Sequence, residues 1–184
     1  MPLREDTPMQ VRNLLMIPAL LCICAAAALA DTAPKSAHAD IMNAQGAKIG
    51  TAKLKAVSGG VEIVVKVSGL TAGDHGIHIH TVGKCEGPDF KTAGGHFNPT
   101  SAHHGVNNAV DPHPHAGDLP NLTVAADGKG SASVVDKDVT LGDGANSLFH
   151  DGGTSLVIHA KADDLMSDPA GNSGDRIACG VIQK

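Results

Sequence analysis

A chain of 184 residues with a net charge of −5, no Trp, no Tyr and three Phe must build its core from Val, Ile, Leu and Ala. That length fits one domain with a substantial core, and the acidic balance argues against a nucleic-acid surface, though not against an anionic substrate, for which local positive charge matters more than the total. Twenty-two Gly and ten Pro point to a loop-rich, all-β chain.

The first element in chain order is a targeting segment. Arg4 and Arg12 precede an uncharged run from Leu14 to Ala30 that ends in Ala28-Leu29-Ala30. A positive region, an apolar region and a small-residue cleavage site make residues 1–30 a signal peptide. Its seventeen apolar residues stand at the short end of the roughly 17–25 that span a bilayer, and no stable membrane association is expected after cleavage. Cleavage removes Cys22 and Cys24 and leaves Cys85 and Cys179. An even pair in an exported protein reads most simply as a disulfide.

Residues 31–37 form a short polar lead, and the domain runs over 38–184. Eight short strands are predicted: 38–42, 48–57, 61–67, 76–82, 122–125, 131–135, 155–160 and 177–182. Asp127-Gly128 marks a hairpin between the fifth and sixth. Short strands with Gly-rich turns predict an antiparallel Greek-key sandwich or barrel. Two long loops, 83–121 and 162–175, interrupt it. Structureless loops of such length are uncommon unless functional or disordered, and a bound metal would order the first.

Eight of the eleven histidines lie between His75 and His115. His78 and His80 are two apart on a strand, so their side chains share a face and form a ready pair of nitrogen ligands. The following loop offers His96, His103, His104, His113, His115 and Asp118, and the strand near residue 158 offers His159. A tetrahedral zinc needs four ligands, so there are candidates for two sites. The pattern alone does not say which histidine serves which metal.

Four segments carry a resemblance: Gly76-Ile77-His78-Ile79-His80, Gly95-His96-Phe97-Asn98-Pro99, His115-Ala116-Gly117-Asp118-Leu119, and Gly171 through Val181 with its Asn172-Ser173-Gly174-Asp175-Arg176-Ile177-Ala178-Cys179-Gly180 core. In order and spacing the chain resembles the copper/zinc superoxide dismutases from about His38 onward. The resemblance implies dismutation of superoxide to oxygen and hydrogen peroxide, with one copper and one zinc ion per chain. His78, His80, His96 and His159 match the copper ligands; His96, His104, His115 and Asp118 match the zinc ligands. His96 would then bridge both metals. Asp163 matches a carboxylate linking His78 to His104, Arg176 matches the arginine at the mouth of the copper channel, and His75 matches a structural histidine. The Cys85–Cys179 bridge would tie the first loop to the strand of Arg176.

The second loop departs from cytosolic relatives. It carries Asp164, Asp168 and Asp175 and no cation before Arg176, which would repel superoxide, so Lys84 and Lys91 become the candidates for steering. His103 beside His104, and His113 beside His115, are competing ligands by position; His38 and His150 read as surface histidines. A metal-carrying relative without dismutase activity, a zinc-only domain and an adhesion-type sandwich are the other readings. The first two should lack a copper histidine or the arginine, and this chain has both. Family members are monomers or dimers, so a homodimer is compatible. The signal places the enzyme in the periplasm, or in the medium, where it would protect against extracytoplasmic superoxide.

Overall fold

The computed structural model describes residues 33–112 and 114–184. Residues 1–30, expected to be a signal peptide and containing Cys22 and Cys24, and His113 lie outside the described residues.

The described chain forms nine antiparallel strands: β1 Ser36–Asn43, β2 Lys48–Val57, β3 Gly60–Val67, β4 Gly73–His75, β5 Ile77–His80, β6 Leu122–Val124, β7 Gly130–Asp136, β8 Ser155–His159 and β9 Arg176–Val181. They make one sheet in the order β4-β6-β7-β3-β2-β1-β9-β8-β5. Its two edge strands, β4 and β5, are consecutive in the chain and separated by Gly76 alone, so the sheet curls until it is nearly closed. Gly76 makes the junction, donating to the Lys161 carbonyl at 2.8 Å and accepting from the His159 amide at 2.8 Å. A Cβ there would stand 2.8 Å from that of Ser173. The crossovers β3→β4 and β7→β8 make the pattern a Greek key, with β3 beside β7 and β8 beside β5.

The ninth strand is β4. It pairs with β6 through His75↔Leu122, but Gly73 and Asp74 are exposed, so no apolar alternation marked it in the sequence. β1 starts two residues earlier than expected, because Ser36 and Ala37 continue the ladder against Lys55 and Leu54. Between β7 and β8, residues 137–154 form a third long connection. It is an integral part of the fold, because Val139, Leu141 and Leu148 are buried in the main core.

Alternation along β5 and β8 decides where the site lies. Ile77, Ile79, Leu156 and Ile158 enter the core between the sheet's inner faces, so His78, His80 and His159 point the other way. All three are nevertheless buried, because the long loops cover that outer face. Val157 packs there with Phe90, Ala93 and Cys179 in a second small cluster. The Cys85–Cys179 disulfide, with Cα atoms 5.6 Å apart and a sequence separation of 94, pins the first loop to β9.

Candidate metal centre

β5 is a sheet edge, and the first loop satisfies its free backbone groups. Phe97 donates to the Ile79 carbonyl at 2.8 Å, Ile79 to that of Gly117 at 2.9 Å, and Thr81 to that of Gly95 at 2.9 Å. These bonds set His96 opposite His80 and Asp118 opposite His78. Covering an edge is a general device against mispairing; here it also delivers ligands.

Two clusters result. In the first, one ligand atom each of His78, His80, His96 and His159 lies within 4.8 Å of the others. His78 Nε2–H donates to Asp163 Oδ2 at 2.7 Å, His80 Nδ1–H to the Gly94 carbonyl at 2.9 Å, and His159 Nδ1–H to the Gly174 carbonyl at 3.1 Å. Carbonyls and carboxylates only accept, so these bonds fix the tautomers and leave the opposite nitrogens bare. His78 Nδ1, His80 Nε2, His96 Nε2 and His159 Nε2 are buried without a partner. Four converging lone pairs without a donor are costly, and a cation of imidazole preference fits them. Burial pushes His80, His78 and His159 down to about 2, about 3 and about 4, so the rings stay neutral and ready to ligate.

The second cluster is His96, His104, His115 and Asp118. Asp118 Oδ1 lies 2.8, 3.0 and 3.3 Å from Nδ1 of His96, His104 and His115. Its Oδ2 accepts from the amides of Gly105 at 2.8 Å and His115 at 3.1 Å. Burial would raise the Asp118 carboxyl, but the bonds from His104, His115 and His96 outweigh it and hold the group well below the usual carboxylate range. Burial likewise opposes charge on His104, yet Asp118 and Asp163 lift that ring to about 9. A positive charge is favoured at this point, and three imidazoles with one carboxylate are a donor set that suits zinc. His96 belongs to both clusters, with Nδ1 toward Asp118 and Nε2 among the four bare nitrogens.

Asp163 links the clusters, with Oδ2 on His78 and Oδ1 accepting from His104 Nε2 at 3.0 Å. Its backbone is clamped to Asn121 by two hydrogen bonds of 2.8 Å. No local pattern marked Asn121, and although Gly171 opens one of the segments that carry the resemblance, its contact with Asp163 was not read from it. Gly171 has φ +60, and a Cβ there would collide with Asp163 Oδ1 and stand 2.7 Å from His104 Nε2. His75 is buried and spans the β4–β8 junction, its Nδ1 2.7 Å from the His159 carbonyl and its Nε2 2.9 Å from that of Thr71.

Arg176 is half-buried at the start of β9. It donates to the Phe90 carbonyl at 2.9 Å and to Gly94 at 2.7 Å, so Gly94 serves both the arginine and His80. Burial lowers the guanidinium's pKa from its ordinary value, but so basic a group keeps its charge. A cavity at this mouth is lined by Pro88, Asp89, Lys91, Gly174, Asp175 and Arg176. Lys91 is there and pairs with Asp89 at 2.9 Å; Lys84 is exposed and does not line it.

His103 faces away from the cluster and pairs with Asp168 at 2.7 Å, so of the adjacent pair it is His104 that meets Asp118. Asp168 also accepts the His104 amide at 2.7 Å, which makes it a loop fastener. His38 is exposed as expected, but His150 is half-buried and stacks on Phe97 with centroids 5.2 Å apart. The aromatic neighbour comes from a distant loop, which the sequence did not reveal.

Residues 48–182 match the family of copper/zinc superoxide dismutases (SODC). The chain is 50% identical over 148 residues to superoxide dismutase [Cu-Zn] 1 of Aquifex aeolicus, covering 79% of this chain and 86% of that one. It is 39% identical over 181 residues to the Deinococcus radiodurans superoxide dismutase [Cu-Zn], covering 94% and 97%. Among solved structures, the Brucella abortus Cu/Zn superoxide dismutase superposes with a TM-score of 0.64 at 31% identity, covering 80% of this chain and 99% of that one. A mutant of a superoxide dismutase-like protein from Bacillus subtilis reaches 0.76 at 39% identity, covering 80% and 97%. Two metal-ready clusters sharing one histidine, on this fold and with these relatives, establish that the chain belongs to the copper/zinc superoxide dismutase family.

Proposed function

We propose that His78, His80, His96 and His159 hold the copper, and His96, His104, His115 and Asp118 the zinc, of an exported enzyme that dismutates superoxide to oxygen and hydrogen peroxide. The observation that carries the assignment is the set of four buried ring nitrogens without partners, one of them on the histidine whose other nitrogen faces Asp118. Bound copper supplies the one-electron redox chemistry, while zinc, which has none, supplies charge and order.

The chain's own residues do the rest. Arg176 is fixed by two carbonyls and presents a permanent charge to a small anion entering the mouth. Lys91 lines the same mouth but is paired with Asp89, so the focusing charge there is that of Arg176, and focusing of this kind raises on-rates by roughly 10–10³. Burial lowers the pKa of His96 more than Asp118 raises it, so a proton taken up at its Nε2 is readily released to a product anion. Asp163 accepts from Nε2 of both His78 and His104, which leaves His78 Nδ1 without a partner and turns His104 Nδ1 to Asp118. The disulfide supports export, because such bonds persist in oxidising compartments; the periplasm is the compartment we assign.

Metal content and superoxide disappearance, measured on the same preparation loaded with copper and zinc, test the assignment. One copper and one zinc per chain are expected, with fast dismutation lost in His159→Ala. Full occupancy without dismutation would mean a metal carrier, and zinc without copper would overturn the copper set.

A further inference from the structure

Away from the metals, the outer face of β1–β3 gathers positive charge on an acidic chain. A groove of about 800 Å³ there is lined by Lys35, Lys53, Lys55, Lys66 and Lys184, with Glu62 as the one carboxylate lining it. Strand register produces the grouping: Lys53 and Lys55 alternate outward along β2, Lys53 lies between His38 and Val64, and Lys66 lies opposite Thr51. All five lysines are exposed. Among the described residues none of the five is ion-paired, whereas Lys48, Lys91 and Lys129 each have an aspartate partner. Like charges gathered on one sheet face oppose folding, and a multivalent anion would relieve that repulsion.

We propose that this groove binds a linear acidic polysaccharide, a property separate from dismutation. The residue types narrow the partner. No Phe, Tyr or Trp lines the groove and His38 is its single ring, so it lacks the row of stacking platforms used for unpaired bases and the Trp or Tyr anchors of a membrane interface. A concave groove receives a chain better than a flat bilayer. The charges on β2 are two residues apart, about 6.5–7 Å at strand spacing, which suits repeated carboxylate or sulfate groups rather than a single ion. The groove shares no residue with either metal cluster or with the Arg176 mouth. A bound polymer would therefore leave the enzyme working while holding it on an acidic matrix.

Retention of the metal-loaded protein on immobilised heparin and on neutral dextran, with soluble alginate as competitor, tests this. Binding to heparin, absence of binding to dextran and release by alginate are expected. Lys53→Gln/Lys55→Gln should weaken heparin binding about tenfold, through the loss of two exposed charge contacts. Lys129→Gln/Lys137→Gln, with the same change in net charge on other parts of the surface, should not. Both variants should keep the parent's dismutation rate, which checks folding. Equal weakening in both variants would mean a diffuse charge effect and overturn the proposal, as would no retention by the parent. Tighter binding to phosphatidylglycerol vesicles than to heparin would overturn it in favour of a membrane surface.

Discussion

Replacing Asp163 by asparagine should damage one metal cluster and spare the other. Oδ1 of Asp163 accepts two hydrogen bonds, from His104 Nε2–H at 3.0 Å and from the Leu165 amide at 2.6 Å. Oδ2 accepts one, from His78 Nε2–H at 2.7 Å. Asparagine offers one oxygen and one NH₂ group. The Leu165 amide can only donate, so the amide oxygen takes the Oδ1 position and the NH₂ group faces His78. Donor then meets donor, unless the His78 proton moves to Nδ1, the nitrogen that points into the four-histidine cluster. The variant loses a charge-assisted hydrogen bond worth about 1.5–3 kcal/mol, and His78 loses the tautomer that ligates. Loss of such outer partners typically costs about 10–100-fold in metal affinity. Copper affinity of Asp163→Asn should fall by that factor with zinc affinity little changed, each measured by chelator competition at one pH. A zinc loss as large as the copper loss would refute the reasoning, because it would show that the bridge does not act through the His78 tautomer.

In the metal-free protein, His80, His78 and His159 titrate at about 2, about 3 and about 4 against an ordinary 6.5. Their contribution to stability is present above pH 6.5 and is lost as the pH falls toward 4. Asp136, buried and pushed up to about 7, opposes them by one proton. His96, also lowered by burial, adds to the three, so a net of about two to three protons makes stability rise by on the order of 3–4 kcal/mol per pH unit across that window, and urea midpoints that do not change with pH would contradict it. Gly171→Ala should lower affinity for both metals, since its methyl would displace the Asp163 carboxylate that both clusters use; unchanged binding would show that the loop can yield. Cys85→Ser/Cys179→Ser should lose about 4–5 kcal/mol of stability, from a loop closed over a sequence separation of 94, read as a lower denaturation midpoint. Lys91→Gln, which leaves Asp89 unpaired at the mouth, should reduce kcat/KM at low ionic strength and flatten its salt dependence, and an unchanged profile would remove Lys91 from steering.

Most of the site was legible because its chemistry depends on residue type at short spacing. His78 and His80 share a face by strand periodicity, His115 and Asp118 sit in one turn, and the two cysteines after residue 30 had one partner each. The apolar alternation of β2 and β3 likewise set their limits within a residue. What alternation could not decide was burial. By sequence, the outward faces of β5 and β8 should be wet; the two loops that cover them make the histidines dry, orphan their nitrogens and lower their pKa values. The choice of His104 over His103 required Asp168, which turns one ring outward and holds the other's amide. Asn121 acts through its side-chain amide on the backbone of a distant residue, Gly94 through its carbonyl and Gly171 through the lack of a side chain, roles that no local spacing announces. β4 escaped notice for a related reason. A strand of Gly, Asp and His is made by its neighbour's hydrogen bonds, and only closure of the sheet supplies that neighbour.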